Sequence, residues 1–171
     1  MKKEFISLAA GCVFTLFTAG TALAQVQLPE ITVTESAKSN ISNTKVTSSF
    51  ENSFKNVSHV KWYESGNRYL VNFMTEDLRN HVLYTKKGQM IYHIIYGFEK
   101  NLPSDLLSQV KGQYKAYSVI RAINVKQGGA NVWMVNLENA KGYVMLRMAD
   151  GDMNEVRTLK KTMPSEVRAS L

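Results

Sequence analysis

Three histidines, His59, His81 and His93, are the side chains best suited to hold a metal or relay a proton. They fall in separate segments, with neither a second histidine nor a carboxylate at ligand spacing, so surface or edge positions are expected for each. Asp150, Asp152 and Glu155 surround a turn and could gather around calcium, but the bidentate spacing of an EF-hand is missing and a solvated turn is the plainer expectation. Glu76-Asp77 precedes Leu78 in a strand-connecting loop, where acidic residues are ordinary. Gly128-Gly129 lies between two strands, not ahead of a helix, so it reads as a hairpin turn and not as a phosphate cradle. No G-x-S-x-G nucleophile elbow occurs. The chemistry-bearing residues therefore point to no catalytic site, cofactor or metal.

The only cysteine, Cys12, lies in an N-terminal segment with the physics of a secretory leader. Lys2 and Lys3 open it, an apolar run extends from Phe5 to Ala19, and Ala22-Leu23-Ala24 supplies small residues for cleavage before Gln25. Its apolar core is shorter than the roughly 20 residues that span a bilayer, so no transmembrane span is expected once the leader is removed. Leu8-Ala9-Ala10-Gly11-Cys12 loosely resembles a lipoprotein box, which would leave a lipid anchor on Cys12. The apolar stretch before it is very short, and a cleaved leader over residues 1–24 is the expectation. A periplasmic or secreted chain without cysteine has no disulfide and no thiolate chemistry, and must rely on its core.

The formal charge is +7 for the whole chain, and removing Lys2, Lys3 and Glu4 lowers it to +6. The charges are scattered, with dense pairs at Lys86-Lys87 and Lys160-Lys161 only. A nucleic-acid binder concentrates its cations on one stripe with stacking aromatics, and no such stripe is visible in the sequence.

Residues 25–46 are rich in Ser, Thr, Asn and Glu, which reads as a flexible N-terminal arm. Ile31 to Thr34 could add an edge strand or remain a solvated linker. The folded domain is expected over 47–160, with 161–171 as a tail. Thr47 or Ser48 caps a first helix running to Asn56, with Glu51 in its first turn and Phe50, Phe54 and Val57 along one stripe. Strands follow at 60–64, 68–74, 80–85 and 89–98. A second helix starts at Pro103, with Leu106, Leu107, Val110 and Tyr114 as its stripe, and strands resume at 117–126, 131–137, 143–148 and 153–159.

An internal echo organises these elements. Tyr69-Leu70-Val71-Asn72-Phe73 matches Trp133-Met134-Val135-Asn136-Leu137 at an offset of 64, and Val82-Leu83-Tyr84 matches Val144-Met145-Leu146 at 62. The expected fold is α+β: a tandem repeat of helix plus four antiparallel strands, as half-repeats 47–100 and 101–160, with two helices packed on one face of an antiparallel sheet. Tyr69, Val71, Phe73, Val82, Tyr84, Trp133, Val135, Leu137, Val144, Leu146 and Met148 should face the helices. Alternation leaves Leu70, Asn72, Met74, Leu83, Met134, Tyr143, Met145 and Arg147 on the other face. That set is more apolar than a free sheet face usually is, and Met, Tyr and Arg are enriched at contact surfaces. Either this face meets a partner, or the N-terminal arm or a second copy covers it.

The pattern resembles the PepSY-like, beta-lactamase-inhibitor-protein-like (BLIP-like) periplasmic domains of Bacteroidetes-type bacteria. Phe50 and Phe54, Val60-Lys61-Trp62, Tyr69 to Phe73, Tyr84 with Lys87-Gly88, and Leu102-Pro103 followed by Leu106, Val110 and Tyr114 carry the resemblance. It implies tandem helix-plus-four-strand units, an exported location, no catalytic role and a capacity to bind protein. The namesake inhibitor uses a concave sheet face and loops closed by disulfides, which a chain without mature cysteine cannot build. The expectation is an exported, non-enzymatic binding or inhibitor-like module that recognises an envelope protein through its open sheet face. The alternatives are a small-ligand carrier with a pocket near Phe54, Trp62 and Tyr114, or an accessory subunit of an envelope complex tethered through residues 25–46.

Overall fold

Asn43 starts the first helix. Its Oδ1 accepts hydrogen bonds from the backbone N–H groups of Lys45 (3.1 Å) and Val46 (3.3 Å), two donors that a helix N-terminus leaves unpaired. The structure, a computed structural model, describes residues 38–161; the leader with Cys12, residues 25–37 of the arm and residues 162–171 lie outside the described residues. Helix α1 spans Thr44–Ser53, beginning three residues before Thr47 because Asn43 is the better cap. Glu51 consequently sits in the last turn, and the first turn has no acidic residue. The end of the compositional arm is built into the fold: Lys38 and Trp62 exchange backbone hydrogen bonds of 2.8 and 2.9 Å, Ile41 packs on the core, and Val46 is fully buried.

Strands β1 (Val57–Ser65), β2 (Arg68–Thr75), β3 (Leu78–Thr85) and β4 (Met90–Gly97) follow α1. A 3-10 turn at Glu99–Asn101 leads to α2 (Ser104–Gln113), with Pro103 just before its first residue. Strands β5 (Ser118–Gln127), β6 (Ala130–Glu138), β7 (Gly142–Ala149) and β8 (Asp152–Lys160) complete the described chain. All eight strands form one continuous sheet in sequence order, every pair antiparallel. Short turns join most neighbours, as antiparallel pairing permits.

The helix side of the sheet carries the core in two parts. Under α1, Val46 and Phe50 pack with Trp62, Tyr69, Val71, Phe73, Val82 and Tyr84. The Phe50 ring lies 5.2 Å from Trp62 and 5.1 Å from Phe73, both edge-on, the arrangement ring quadrupoles favour. Under α2, Leu102 and Val110 pack with Ala122, Val135, Leu137, Val144, Leu146 and Met148. The residues expected to face the helices all belong to these two clusters, with Trp133 half-buried at the edge of the second.

His93 departs from its expected surface position. It is buried on the helix side, its ring 5.1 Å from Phe54 and 6.4 Å from Phe73. Its Nε2 lies 2.8 Å from Oδ1 of buried Asn80, whose Nδ2 donates to Thr75 Oγ1 and the Leu78 carbonyl. Because Asn80 Oδ1 can only accept, Nε2 carries the proton. His59 is exposed in the β1 bulge with φ of 54°, and His81 is half-buried on the opposite face. Among the described residues, no three His, Cys, Asp or Glu side chains come together as a metal site.

Candidate functional site

Strand register brings the sequence-predicted face residues together. Leu70 lies between Tyr63 and Leu83, Asn72 between Lys61 and His81, and Met74 between Ser58 and Arg79. On β6 and β7, Met134 lies between Ile123 and Arg147, Met145 is paired with Asn136 and Arg157, and Tyr143 with Glu138 and Leu159. All these side chains occupy the face opposite α1 and α2. They do not share one role, however. Leu83 is fully buried and centres a third apolar cluster with Tyr92, Ile94 and Val125, flanked by Leu70, Tyr96 and Ile123. Leu83 is thus part of the floor, while Tyr143, 38% exposed, can touch a partner.

One cross-strand row runs through the face: Met74, Arg79, Tyr96, Ile123, Met134, Arg147 and Asn154, on β2 through β8. The next row holds Arg121, Asn136, Met145 and Arg157. Beside it a cleft of about 210 Å³ opens among Ile120, Asn136, Tyr143, Met145, Arg157 and Leu159. Ile120 and Leu159 are exposed apolar side chains at its rim. This cleft therefore combines two predicted residues, Tyr143 and Met145, and Asn136, two positions from Met134 on β6, with three from β5 and β8, Ile120, Arg157 and Leu159, that alternation on β2, β3, β6 and β7 could not supply.

The five described arginines, Arg68, Arg79, Arg121, Arg147 and Arg157, all stand at strand positions on this face. Charges that are scattered along the sequence are thus gathered on one face in space. Arg68, Arg79, Arg121 and Arg157 are exposed and have no ion pair among the described residues. The Arg121 guanidinium lies 5.9 Å from the centre of the exposed Phe98 ring. Acidic groups on the face are few: Glu138 is engaged by Lys161 at 2.6 Å, and Asp152 stands at the sheet's end. The hydrogen bond from Lys161, then one from Tyr143, holds the Glu138 carboxyl below its ordinary range. Lys161 also sits 5.0 Å from the centre of the Tyr143 ring. His81 meets the Tyr96 ring at 4.8 Å, and burial followed by the Arg79 charge lowers its pKa.

The side chains proposed for a carrier pocket are engaged in packing. Trp62 is buried against Phe50, Phe54 contacts Phe50, Phe73 and His93, and Tyr114 meets the Tyr117 ring at 5.8 Å. A cavity beside α2, near Leu106, Trp133 and Met148, holds about 220 Å³, below the usual 300–1,000 Å³ of ligand sites. A depression of about 470 Å³ lies at the β5–β6 turn, near Met90, Tyr92 and Gly128, away from both helices.

These features define a class: an α+β protein with an uninterrupted antiparallel sheet, helices on one side and an arginine-bearing face on the other. The same fold occurs in solved structures from Bacteroides. A DUF2874 family protein of Bacteroides uniformis matches with a TM-score of 0.53 and 11% identity, covering 68% of this chain and 88% of that one. A BLIP-like protein of Bacteroides fragilis matches with a TM-score of 0.53 and 14% identity, over 71% and 88%. A candidate periplasmic protein of Bacteroides eggerthii matches with a TM-score of 0.52 and 10% identity, over 68% and 87%. No family model and no curated protein matches the sequence. The chain shares the BLIP-like fold, and identities this low carry the fold alone.

Proposed function

We propose that this chain is an exported, non-enzymatic binding module that recognises a protein partner through its open sheet face. The observation that carries this reading is the contrast between the two faces: a core filled with aromatic rings under α1 and aliphatic side chains under α2, and a cleft flanked by Tyr143, Met145 and Arg157 on the other side. Export rests on the leader pattern of residues 1–24 and is in keeping with the candidate periplasmic relative. Descent from a duplicated, PepSY-like helix-plus-four-strand unit is supported by the positions of the irregularities. Register shifts fall between Ser58 and Lys61 in β1 and between Val119 and Arg121 in β5; they recur between Leu83 and Tyr84 in β3 and between Met145 and Leu146 in β7. Bulges are specific features of a strand pairing, so their recurrence at matching strands adds to the sequence echo.

Met134→Asp and Met145→Asp test the reading. Each replaces a half-buried apolar side chain on the open face by a charge without touching the helix-side clusters. Used as bait against a bacterial envelope extract, the parent chain should retain a partner that both variants lose, while far-ultraviolet circular dichroism stays the same. Equal retention by parent and variants would remove this face from the function.

A further inference from the structure

We infer, resting on the reading that the open face docks a protein, that the segment it receives is acidic and carries one large apolar side chain. Arg121 and Arg157 lie in the same cross-strand row, separated by Asn136 and Met145. Arg79 and Arg147 lie in the adjacent row, four strands apart, roughly 20 Å at ordinary strand spacing. The cations therefore border the apolar strip of Ile123, Met134 and Met145 instead of interrupting it. Guanidinium groups are weakly hydrated and grip carboxylates in a two-pronged fashion, which makes them suited to a desolvated contact where lysine is not. Lysines, by contrast, occur mostly on helices, turns and strand ends of the described chain, with Lys61 in mid-β1 opposite Asn72 as the exception.

The cleft beside Met145 supplies the apolar half of the recognition. At about 210 Å³ it has room for one large side chain, and Arg157 stands on its wall, in place for a carboxylate on the next residue. A nucleic acid fits this surface less well, because it needs several exposed rings for base stacking. Tyr92 is buried and Tyr96 half-buried in the floor, leaving Tyr143 and Phe98 as the exposed rings.

The test is to pan a random dodecapeptide display library against the purified chain and measure the enriched peptides by fluorescence anisotropy. The enriched sequences should carry two or more Asp or Glu residues beside Phe, Leu, Met or Trp. Their affinity should fall at least tenfold in the double variant Arg121→Glu/Arg157→Glu and several-fold between 50 and 500 mM NaCl. The unfolding temperature of the double variant, measured alongside, should stay near that of the parent because both arginines are exposed. Neutral or basic peptides that still lose binding on Met145→Asp would overturn the acidic partner and leave the docking face standing. Peptides indifferent to both the arginine and the methionine changes would overturn both. No enrichment over a blank surface also counts against the inference. So does tighter, arginine-dependent binding of phosphatidylglycerol vesicles, oligothymidylate or a synthetic peptide of residues 25–37.

Discussion

At the scale of single residues, the buried His93–Asn80 pair sets a pH dependence. Burial foremost, and then the Lys126 charge, lowers the His93 pKa from 6.5 to about 4. The folded protein thus keeps the ring neutral where the unfolded chain takes up a proton. The resulting stability is complete above pH 6.5 and declines as pH falls through that value, until the folded protein also protonates near pH 4. Between pH 7.5 and 4.5 the loss from this residue is about 2–3 kcal/mol. Urea unfolding at the two pH values should show this loss in the parent and a correspondingly smaller one in His93→Gln, which keeps a donor for Asn80 and cannot titrate. An equal loss in both proteins would show that His93 is not the group responsible. The sequence could not reveal this, because a histidine within Ile91-Tyr92-His93-Ile94-Ile95 has apolar neighbours on both sides and its partner is 13 positions away.

At the scale of elements, α1 and the β3–β4 turn hold each other. Asn43 Nδ2 donates to the Lys86 carbonyl at 3.0 Å, and Gly88, at φ of 82°, presses against the helix. A Cβ at Gly88 would stand 2.6 Å from the Lys45 carbonyl oxygen, whereas one at Gly66, also at positive φ, meets open space. Gly66→Ala should cost about 1 kcal/mol through backbone strain alone. Gly88→Ala should cost at least about 2 kcal/mol because backbone must also move, and Asn43→Ala about 1 kcal/mol as a lost cap. Chemical denaturation of the three variants checks that order, and equal costs for the two glycines would refute the close approach. Strands with clean alternation, such as Tyr69-Leu70-Val71-Asn72-Phe73, were legible to the residue, and so was the helix-side core they build. Strands β4 and β5 were not: Met90 to Tyr96 is apolar on both sides, so alternation cannot assign its faces. The arginine rows were hidden for a related reason. Arg79, Arg121, Arg147 and Arg157 fall into two rows only through the registers of successive hairpins added together, and β bulges alter those registers on the way.

At the scale of the whole molecule, the two helix-side clusters do not join the halves of the sheet. One lies under α1 with β1 to β3, the other under α2 with β5 to β7. The seam runs between β4 and β5, and the open face carries the apolar contact that crosses it, with Ile94 directly opposite Val125 and Tyr96 opposite Ile123. The third cluster accordingly has a structural role beside the docking surface, which explains why Leu83, chosen from sequence as a contact residue, is fully buried. Truncating Ile94 or Val125 to alanine should cost about 2–4 kcal/mol, as for other buried aliphatic side chains. The more telling effect is on cooperativity. In the parent chain, the most protected amides of β2–β3 and of β6–β7 should exchange with one common opening free energy. In Ile94→Ala the two groups should separate, because each half keeps its own helix-side core while the contact between them weakens. Ile120→Ala, at an exposed rim position, should leave the common value intact. Hydrogen exchange that stays uniform in Ile94→Ala would mean that the backbone ladder between β4 and β5, and not the side chains on the open face, holds the halves together.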